Sequence, residues 1–170
     1  QSLIDDLLTL TRLEASSHPQ TKQTVDVPSL LRHLYEEAND LPIESKPTLE
    51  LQLESEKGLL GSETELRSAF SNLIQNALKY CNEGDRVSIR WFEDAEGAQF
   101  EVMDTGEGIA PEFLPRLTER FYRVDPGREA GGTGLGLAIV KHVLARHGAE
   151  LKIHSTIGKG SRFSCHFNRA

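Results

Sequence analysis

The sequence has few cysteines and no excess of basic residues. Its two cysteines, Cys81 and Cys165, are far apart and have no histidine at metal-ligand spacing, so neither a disulfide scaffold nor a zinc site is indicated. We expect both thiols to be buried and reduced. The 19 lysines and arginines stand against 26 aspartates and glutamates, which gives a net charge of -7. That sign disfavours a generic binder of nucleic-acid phosphates.

Long hydrophobic runs are also absent. No stretch approaches the ~18 apolar residues that a membrane-spanning helix needs, and no signal peptide is recognisable, so we expect the chain as given to be soluble. It opens at Gln1 within an apolar helical pattern, which suggests a piece of a longer protein. Its six histidines are scattered and predict no catalytic or metal site.

The composition is that of one ordinary domain with a short appendage. The chain has 170 residues, of which 38% are hydrophobic and 26% charged. Residues 1–16 have a helical apolar pattern, residues 17–22 form a polar linker that contains Pro19, and residues 23–170 form the domain. Leu3, Leu7 and Leu10 are expected to form an exposed apolar face, which predicts that the first helix docks on a partner helix.

Hydrophobic periodicity predicts an α/β two-layer sandwich. Strands are expected at 23–27, 48–53 and near 58–61, in a hairpin around 94–97, and in a second hairpin around 158–160. Helices are expected from Pro28 to Leu41, from Glu63 to Tyr80 and over the glycine-preceded apolar run 135–144. Ser62 is the predicted N-cap of the second of these, with Glu65 completing a capping box. Residues 105–133 show no sustained period, which is typical of a lid or binding loop.

Four polar residues of the predicted helix over 63–80 lie within about a 100° arc beside its apolar stripe: Asn72, Asn76, Lys79 and Tyr80. Asparagine is a weak helix former, so two of them one turn apart suggest a use for their amide oxygens. Such an oxygen suits Mg²⁺ that also binds phosphate, and Lys79 could then meet a phosphate. The alternative is an ordinary solvated helix face.

Two glycine-rich segments follow. Asp104-Thr105-Gly106-Glu107-Gly108 places an acid and two glycines after a strand, where a carboxylate could accept a hydrogen bond from an adenine amino group; the alternative is an everyday turn. The run GGTGLGL at 131–137 precedes and enters a helix, a position that favours phosphate; the alternative is a flexible hinge. Between the two lie four arginines, suited either to phosphate capture or to a solvated charged helix: Arg116, Arg120, Arg123 and Arg128.

These segments together resemble the conserved boxes of sensor histidine kinases. NLIQNALKY (72–80), DTGEG (104–108), FYR (121–123) and GTGLGL (132–137) are similar, in that order, to the N, G1, F and G2 boxes, and GKGS (158–161) looks like the last glycine box. The resemblance covers about residues 23–168, and residues 1–16 resemble the end of the second dimerisation helix. The phrase LTERFYRVD (117–125) is similar to kinases that sense phosphate starvation.

The resemblance implies the Bergerat fold, with a mixed sheet of about five strands covered on one face by three helices and a long ATP lid. It implies that Asn76 ligates Mg²⁺, that Lys79 contacts phosphate and that Asp104 takes the adenine amino group. Tyr80 would line the base or ribose, and Asn72 and Asn76 would be the catalytic residues of the N box. The remaining implied nucleotide contacts are Gly106, Gly108, Arg123, Gly132, Thr133, Gly134, Leu135 and Gly136.

The implied activity is transfer of the γ-phosphoryl group of Mg-ATP to a histidine, but the phosphoacceptor histidine of the family has no counterpart here. The implied partners are the protein's own dimerisation domain, a response regulator and a second subunit of the intact protein, with no nucleic acid. The parent would be an inner-membrane protein with this domain in the cytoplasm. Two alternatives stay open: an ATPase of the same superfamily, which carries Glu where this chain has Asn72, and a docking module that does not use nucleotide.

Overall fold

The computed structural model describes residues 3–15, 22–41, 46–119 and 134–168. The helices are α1 (Leu3–Glu14), α2 (Val27–Asp40), α3 (Glu63–Lys79) and α4 (Gly136–Arg146), with a 3-10 helix at Pro111–Arg116. The strands are β1 (Gln23–Val25), β2 (Thr48–Leu53), β3 (Leu59–Gly61), β4 (Arg86–Asp94), β5 (Gly97–Asp104), β6 (Ala149–Thr156) and β7 (Gly160–Asn168). Among the helices of these ranges, none combines the length and the apolar character that crossing a membrane requires.

The main sheet has five strands in the order β2-β4-β5-β7-β6. β2 runs parallel to β4, whereas β4 with β5, β5 with β7 and β7 with β6 pair antiparallel, so the sheet is mixed. β1 and β3 form a separate two-stranded antiparallel ribbon. Helices α2, α3 and α4 pack on one face of the sheet. The predicted two-layer architecture, with about five strands and three covering helices, is confirmed.

Alternating residues of the strands fill the core between the sheet and the helices. Phe70 of α3 stacks on Phe100 of β5 with ring centroids 4.2 Å apart, and Phe167 meets Trp91 of β4 edge-on at 6.1 Å. The single tryptophan is fully buried, and its indole N–H donates to the carbonyl of Lys57 at 2.9 Å. Both cysteines are buried and unpaired, as expected.

The first helix packs against the domain through a face that was expected to be exposed. Leu10 is only 1% exposed and Leu13 is also buried, because α1 packs against α4. Leu3 and Leu7 remain exposed. The prediction that Leu10 belongs to an open docking face was therefore wrong: its partner helix lies within the same chain.

A buried ion pair joins three helices at this contact. The guanidinium of Arg146, near the end of α4, makes a two-pronged ion pair with Glu65 of α3 at 2.7 and 3.0 Å. Its third nitrogen donates to the carbonyl of Leu13 in α1 at 3.2 Å. The side chains of Arg146 and Glu65 are 4% and 15% exposed, so the pair is shielded from water.

Two local predictions need correction. Val27 was expected to end a strand, but it opens α2, because Asp26 caps the helix by accepting from the backbone N–H of Ser29 at 3.2 Å. The capping box at α3 is half formed. Ser62 accepts from the N–H of Glu65, but the Glu65 carboxylate binds Arg146 instead of returning to Ser62.

Candidate functional site

The site is centred on a buried carboxylate at the end of β5. Asp104 is the last residue of the strand and lies between Val87 of β4 and Ser161 of β7 in the register of the sheet. It is 5% exposed. One carboxylate oxygen, Oδ1, accepts from the backbone N–H of Gly106 at 2.9 Å and from that of Ser161 at 3.3 Å. Burial raises the pKa of Asp104 above its usual value, and the two backbone donors oppose that rise.

Three glycines allow the chain to pack tightly around this carboxylate. A Cβ at Gly106 would lie 2.5 Å from the carbonyl oxygen of Tyr80. Gly108 and Gly160 have positive φ angles of 75° and 124°, and a Cβ there would overlap the backbone of Thr156 and of Asp104 respectively. The loop after β5 is thereby held against both the end of α3 and the β6–β7 turn.

Helix α3 ends beside the same carboxylate. Lys79 is its last residue and Tyr80 is its C-cap, with the Lys79 ammonium 5.1 Å from the centroid of the Tyr80 ring. Both side chains are partly buried. The carbonyl of Tyr80 lies against Gly106, so the two predicted segments meet at this point.

The two asparagines of α3 have different surroundings. Asn72 is buried, and its amide nitrogen donates to the carbonyl of Ser68 at 2.8 Å. Its amide oxygen lies 2.8 Å from where a Cβ of Gly136 would be, so Asn72 packs α3 against the start of α4. Asn76, one turn further on, is partly buried, and its side chain makes no hydrogen bond to any residue that the structure describes.

The start of α4 carries the features of an anion site. Gly134 has a positive φ of 81°, and the fully buried Leu135 precedes the helix. Within the described ranges no side chain caps this helix start, so its first backbone N–H groups and the helix dipole favour a negatively charged group. Asn72 contacts this end of α4 and Tyr80 contacts the loop after β5, with Asn76 between them on α3.

A match to a family model decides the family. The model described as "Histidine kinase-, DNA gyrase B-, and HSP90-like ATPase" matches residues 61–170. The chain belongs to this ATPase family. The resemblance predicted from the glycine-rich segments is confirmed. The matched range, residues 61–170, includes the Asp104 loop and the start of α4.

Within the ATPase family the chain is similar to bacterial sensor kinases. It is 52% identical over 169 residues to the phosphate regulon sensor protein PhoR of Pseudomonas aeruginosa, and 51% identical over 108 residues to PhoR of Haemophilus influenzae. The first alignment covers 98% of this chain but 38% of that relative, and the second covers 62% and 25%. The chain thus spans well under half of the length of these relatives.

Solved structures of sensor kinases have the same fold. The mycobacterial sensor histidine kinase MprB superposes with a TM-score of 0.76 at 28% identity, over 86% of this chain and 97% of that one. Full-length ShkA in complex with AMPPNP superposes with a TM-score of 0.80 at 29% identity, over 99% of this chain and 36% of that one. The predicted Bergerat fold of the family is confirmed.

Some predicted residues of the ATPase site lie outside the described residues: Arg120, Arg123, Arg128, Gly131, Gly132 and Thr133. Arg116 is described and pairs with Glu119 at 2.8 Å on an exposed surface, which matches the alternative of a solvated charged helix. The sequence does not link the backbone of Ser161 to Asp104. The fold is needed to find this contact, because Ser161 follows Asp104 by 57 residues.

Proposed function

We propose that this chain is the Mg-ATP-binding catalytic domain of a sensor histidine kinase. The observation that carries the proposal is the buried carboxylate of Asp104, held by backbone donors at the edge of a glycine-lined loop. A buried carboxylate of this kind is a strong acceptor, and the exocyclic amino group of adenine is a matching donor. The ATPase family of the chain and the AMPPNP complex of ShkA support a nucleotide with that base.

The other site residues follow from their positions around α3 and α4. Tyr80, beside the Asp104 loop, would line the base or ribose. Lys79 would contact a phosphate. The backbone of Gly134, Leu135 and Gly136 at the start of α4 would hold the phosphates, since that helix end favours anions. The sequence assigns further phosphate contacts to Arg123, Gly132 and Thr133. Gly106 and Gly108 would let the backbone approach the nucleotide closely.

The residues present fit a magnesium ion that is held mainly by the nucleotide. The described residues contain no cluster of three or more acidic, histidine or cysteine side chains that would bind a metal by themselves. Asn76 offers one amide oxygen that is not engaged with another described residue. Mg²⁺ commonly takes one or two protein oxygens and completes its shell with phosphate and water. When bound, it would neutralise charge on the phosphates during transfer.

The reaction we propose is transfer of the γ-phosphoryl group to a histidine on the dimerisation domain of the intact protein. Residues 1–16 would be the end of the second dimerisation helix, residues 17–22 a linker and residues 23–170 the catalytic domain. From the histidine the phosphoryl group would pass to a response regulator, in a homodimeric kinase of the inner membrane whose catalytic domain is cytoplasmic. The similarity to PhoR supports a role in phosphate-starvation signalling.

The surroundings of Asn72 support transfer rather than hydrolysis. Related ATPases would need a base to deprotonate water, and an amide cannot serve as one. The Asn72 amide is also engaged with Ser68 and packed against Gly136. The chain's part in transfer is therefore to position the nucleotide and to neutralise its charge.

The test is calorimetric titration of the chain with ATP, with and without Mg²⁺, beside the variant Asp104→Asn. We expect saturable binding that Mg²⁺ strengthens and that Asp104→Asn abolishes, because the amide presents a donor where the base also donates. Phosphate release is measured in the same samples and should be close to background. Equal binding by the variant would refute the assignment of Asp104. Rapid phosphate release would favour an ATPase, and the absence of any binding would favour a docking module.

A further inference from the structure

Three polar residues form a row across the sheet at the proposed base site. In the register of the sheet, Asp104 of β5 lies opposite Ser161 of β7, and Ser161 lies opposite Ser155 of β6. Residues that lie opposite each other in neighbouring strands share a face of the sheet, here the face that carries the apolar core. The two serines are therefore the strand neighbours of the carboxylate that would take the base.

The hydroxyl of Ser155 joins two segments that surround this carboxylate. It accepts a hydrogen bond from the backbone N–H of Ile109, in the loop after β5, at 2.7 Å. It also donates to the carbonyl of Gly160 at 3.2 Å and lies 2.8 Å from the Ser161 hydroxyl. A hydroxyl has one proton and two acceptor positions, so all three contacts form together only if the Ser161 hydroxyl donates to Ser155. The Ser155 side chain thus links the loop after β5 to β7.

The two linked segments supply the backbone hydrogen bonds of Asp104. The loop supplies the N–H of Gly106 at 2.9 Å and β7 supplies the N–H of Ser161 at 3.3 Å, and both bind the same oxygen, Oδ1. The second oxygen, Oδ2, receives no backbone hydrogen bond from the residues that the structure describes. Two donors on one oxygen hold the carboxylate in one orientation and leave the other oxygen to accept from a ligand.

The Ser155 hydroxyl adds to a backbone contact between the same loop and the β6–β7 turn. The N–H of Gly158 donates to the carbonyl of Glu107 at 2.9 Å, and this bond does not depend on any side chain. Ser155 is only partly buried, so loss of its hydroxyl should not unfold the sheet. Ile109 is 3% exposed, however, and its N–H would then be buried without this acceptor. Because such a group is costly, the loop should shift and carry its donor away from Asp104.

We propose that Ser155 is a positioning residue for recognition of the adenine base. Its hydroxyl holds the loop after β5 and strand β7 in the arrangement at which their backbone N–H groups both bind Oδ1 of Asp104. Oδ2 then accepts from the exocyclic amino group of the base. This inference rests on the proposed function. It assigns Ser155 no contact with the nucleotide, because the residue acts through Asp104.

The first test is amide hydrogen exchange followed by nuclear magnetic resonance, without nucleotide. The amides of Ile109 and Ser161 should be protected in the native chain and should exchange about tenfold faster in Ser155→Ala, the scale of one lost hydrogen bond. In Ser155→Thr both should stay slow, because threonine keeps the hydroxyl and suits a strand. An unprotected Ile109 amide in the native chain overturns the contact itself. Unchanged exchange in Ser155→Ala, or faster exchange of Ile109 alone, overturns the link to β7.

The second test compares calorimetric affinities for ATP and for inosine triphosphate, in which a carbonyl oxygen replaces the exocyclic amino group. The native chain should prefer ATP, because Asp104 is an acceptor. Ser155→Ala should bind ATP about tenfold more weakly, the scale of a lost hydrogen bond to a charged group. It should bind inosine triphosphate nearly as the native chain does, because the ribose and phosphate contacts are the same. Ser155→Thr should restore the preference for ATP.

Ser88→Ala is the matched control. Ser88 is a partly buried serine of β4 that alternates with buried residues of the core face, so its hydroxyl lies on the opposite face of the sheet. This variant should keep the native preference for ATP. The amide spectrum of each variant verifies that it is folded, and protection of the native amides tests the contact even if Ser155→Ala does not fold.

The outcomes separate the two proposals. Equal weakening for both nucleotides in Ser155→Ala would indicate a general disturbance and would overturn the positioning role. An unchanged preference in Ser155→Ala, or no recovery in Ser155→Thr, would do the same, and in each case ATP binding by the native chain stands. Failure of the native chain to bind ATP overturns both proposals.

Discussion

The buried ion pair between Arg146 and Glu65 predicts a large loss of stability in Arg146→Met. The substitution removes the two-pronged pair and the bond to the Leu13 carbonyl while keeping an unbranched side chain of similar length. Removing one partner of a buried pair costs about 3–5 kcal/mol, because the other charge stays buried without its partner. Glu65 keeps 15% exposure, so we take the lower end, about 3 kcal/mol. For a domain of this length that corresponds to a fall of about 6–12 °C in Tm.

The assay is urea unfolding followed by the fluorescence of Trp91, the only tryptophan and a fully buried one. Arg67→Met is the matched control. Arg67 pairs with Glu37 and Glu63 at 3.7 and 3.8 Å, but its side chain is 41% exposed, so its loss should cost less than about 1 kcal/mol. The stability of Arg146→Lys should lie between that of the native chain and that of Arg146→Met, because lysine keeps the positive charge but cannot form the bidentate ion pair. A loss in Arg146→Met no larger than that in Arg67→Met would refute the reasoning.

Two further predictions concern pH and glycine. Burial lowers the pKa of His147, whose Nε2 accepts from the backbone N–H of Ser62 at 3.1 Å. The unfolded state therefore takes up the proton first as the pH falls, so the free energy of unfolding should decrease below about pH 6.5. In His147→Gln this decrease should be smaller. The same pH dependence of stability in the variant and the native chain would show that His147 is not its cause. Gly160→Ala should lower the free energy of unfolding by about 3 kcal/mol or more and abolish ATP binding, because its Cβ would overlap the backbone of Asp104. Gly158 also has a positive φ but has open space around it, so Gly158→Ala should cost about 1 kcal/mol in the same urea titration.

Most of the fold could be predicted because its signals are local. The apolar period of α3, the alternation in β4 and β5 and the Ser62 cap are all readable within a few residues. The failures have a common cause. The Glu65 carboxylate binds Arg146, which is 81 residues away, instead of completing the capping box. The helix that carries Leu10, α1, packs against α4. Local pattern cannot weigh a contact with a segment so distant in the chain.

The site divides in the same way. Glycine spacing and the helix positions of Asn76 and Lys79 could be read from sequence, as could the acid at the strand end. The immediate surroundings of Asp104 could not, because its Ser161 donor comes from β7, 57 residues further along the chain. The sequence also does not show that Asn72 and Asn76 have different surroundings. Both lie on the same side of the helix, and only Asn72 packs against Gly136.

The order of strands in the main sheet also determines when the Asp104 carboxylate acquires its surroundings during folding. β4 with β5, and β6 with β7, are hairpins that join neighbouring parts of the chain and can form early. The ladder between β5 and β7 joins these two halves, and Asp104 opposite Ser161 is its terminal rung. A half-assembled sheet would thus have the acid without its Ser161 donor. The proposed base site is complete only after the two hairpins have joined, so nucleotide binding would report the completed sheet rather than either half.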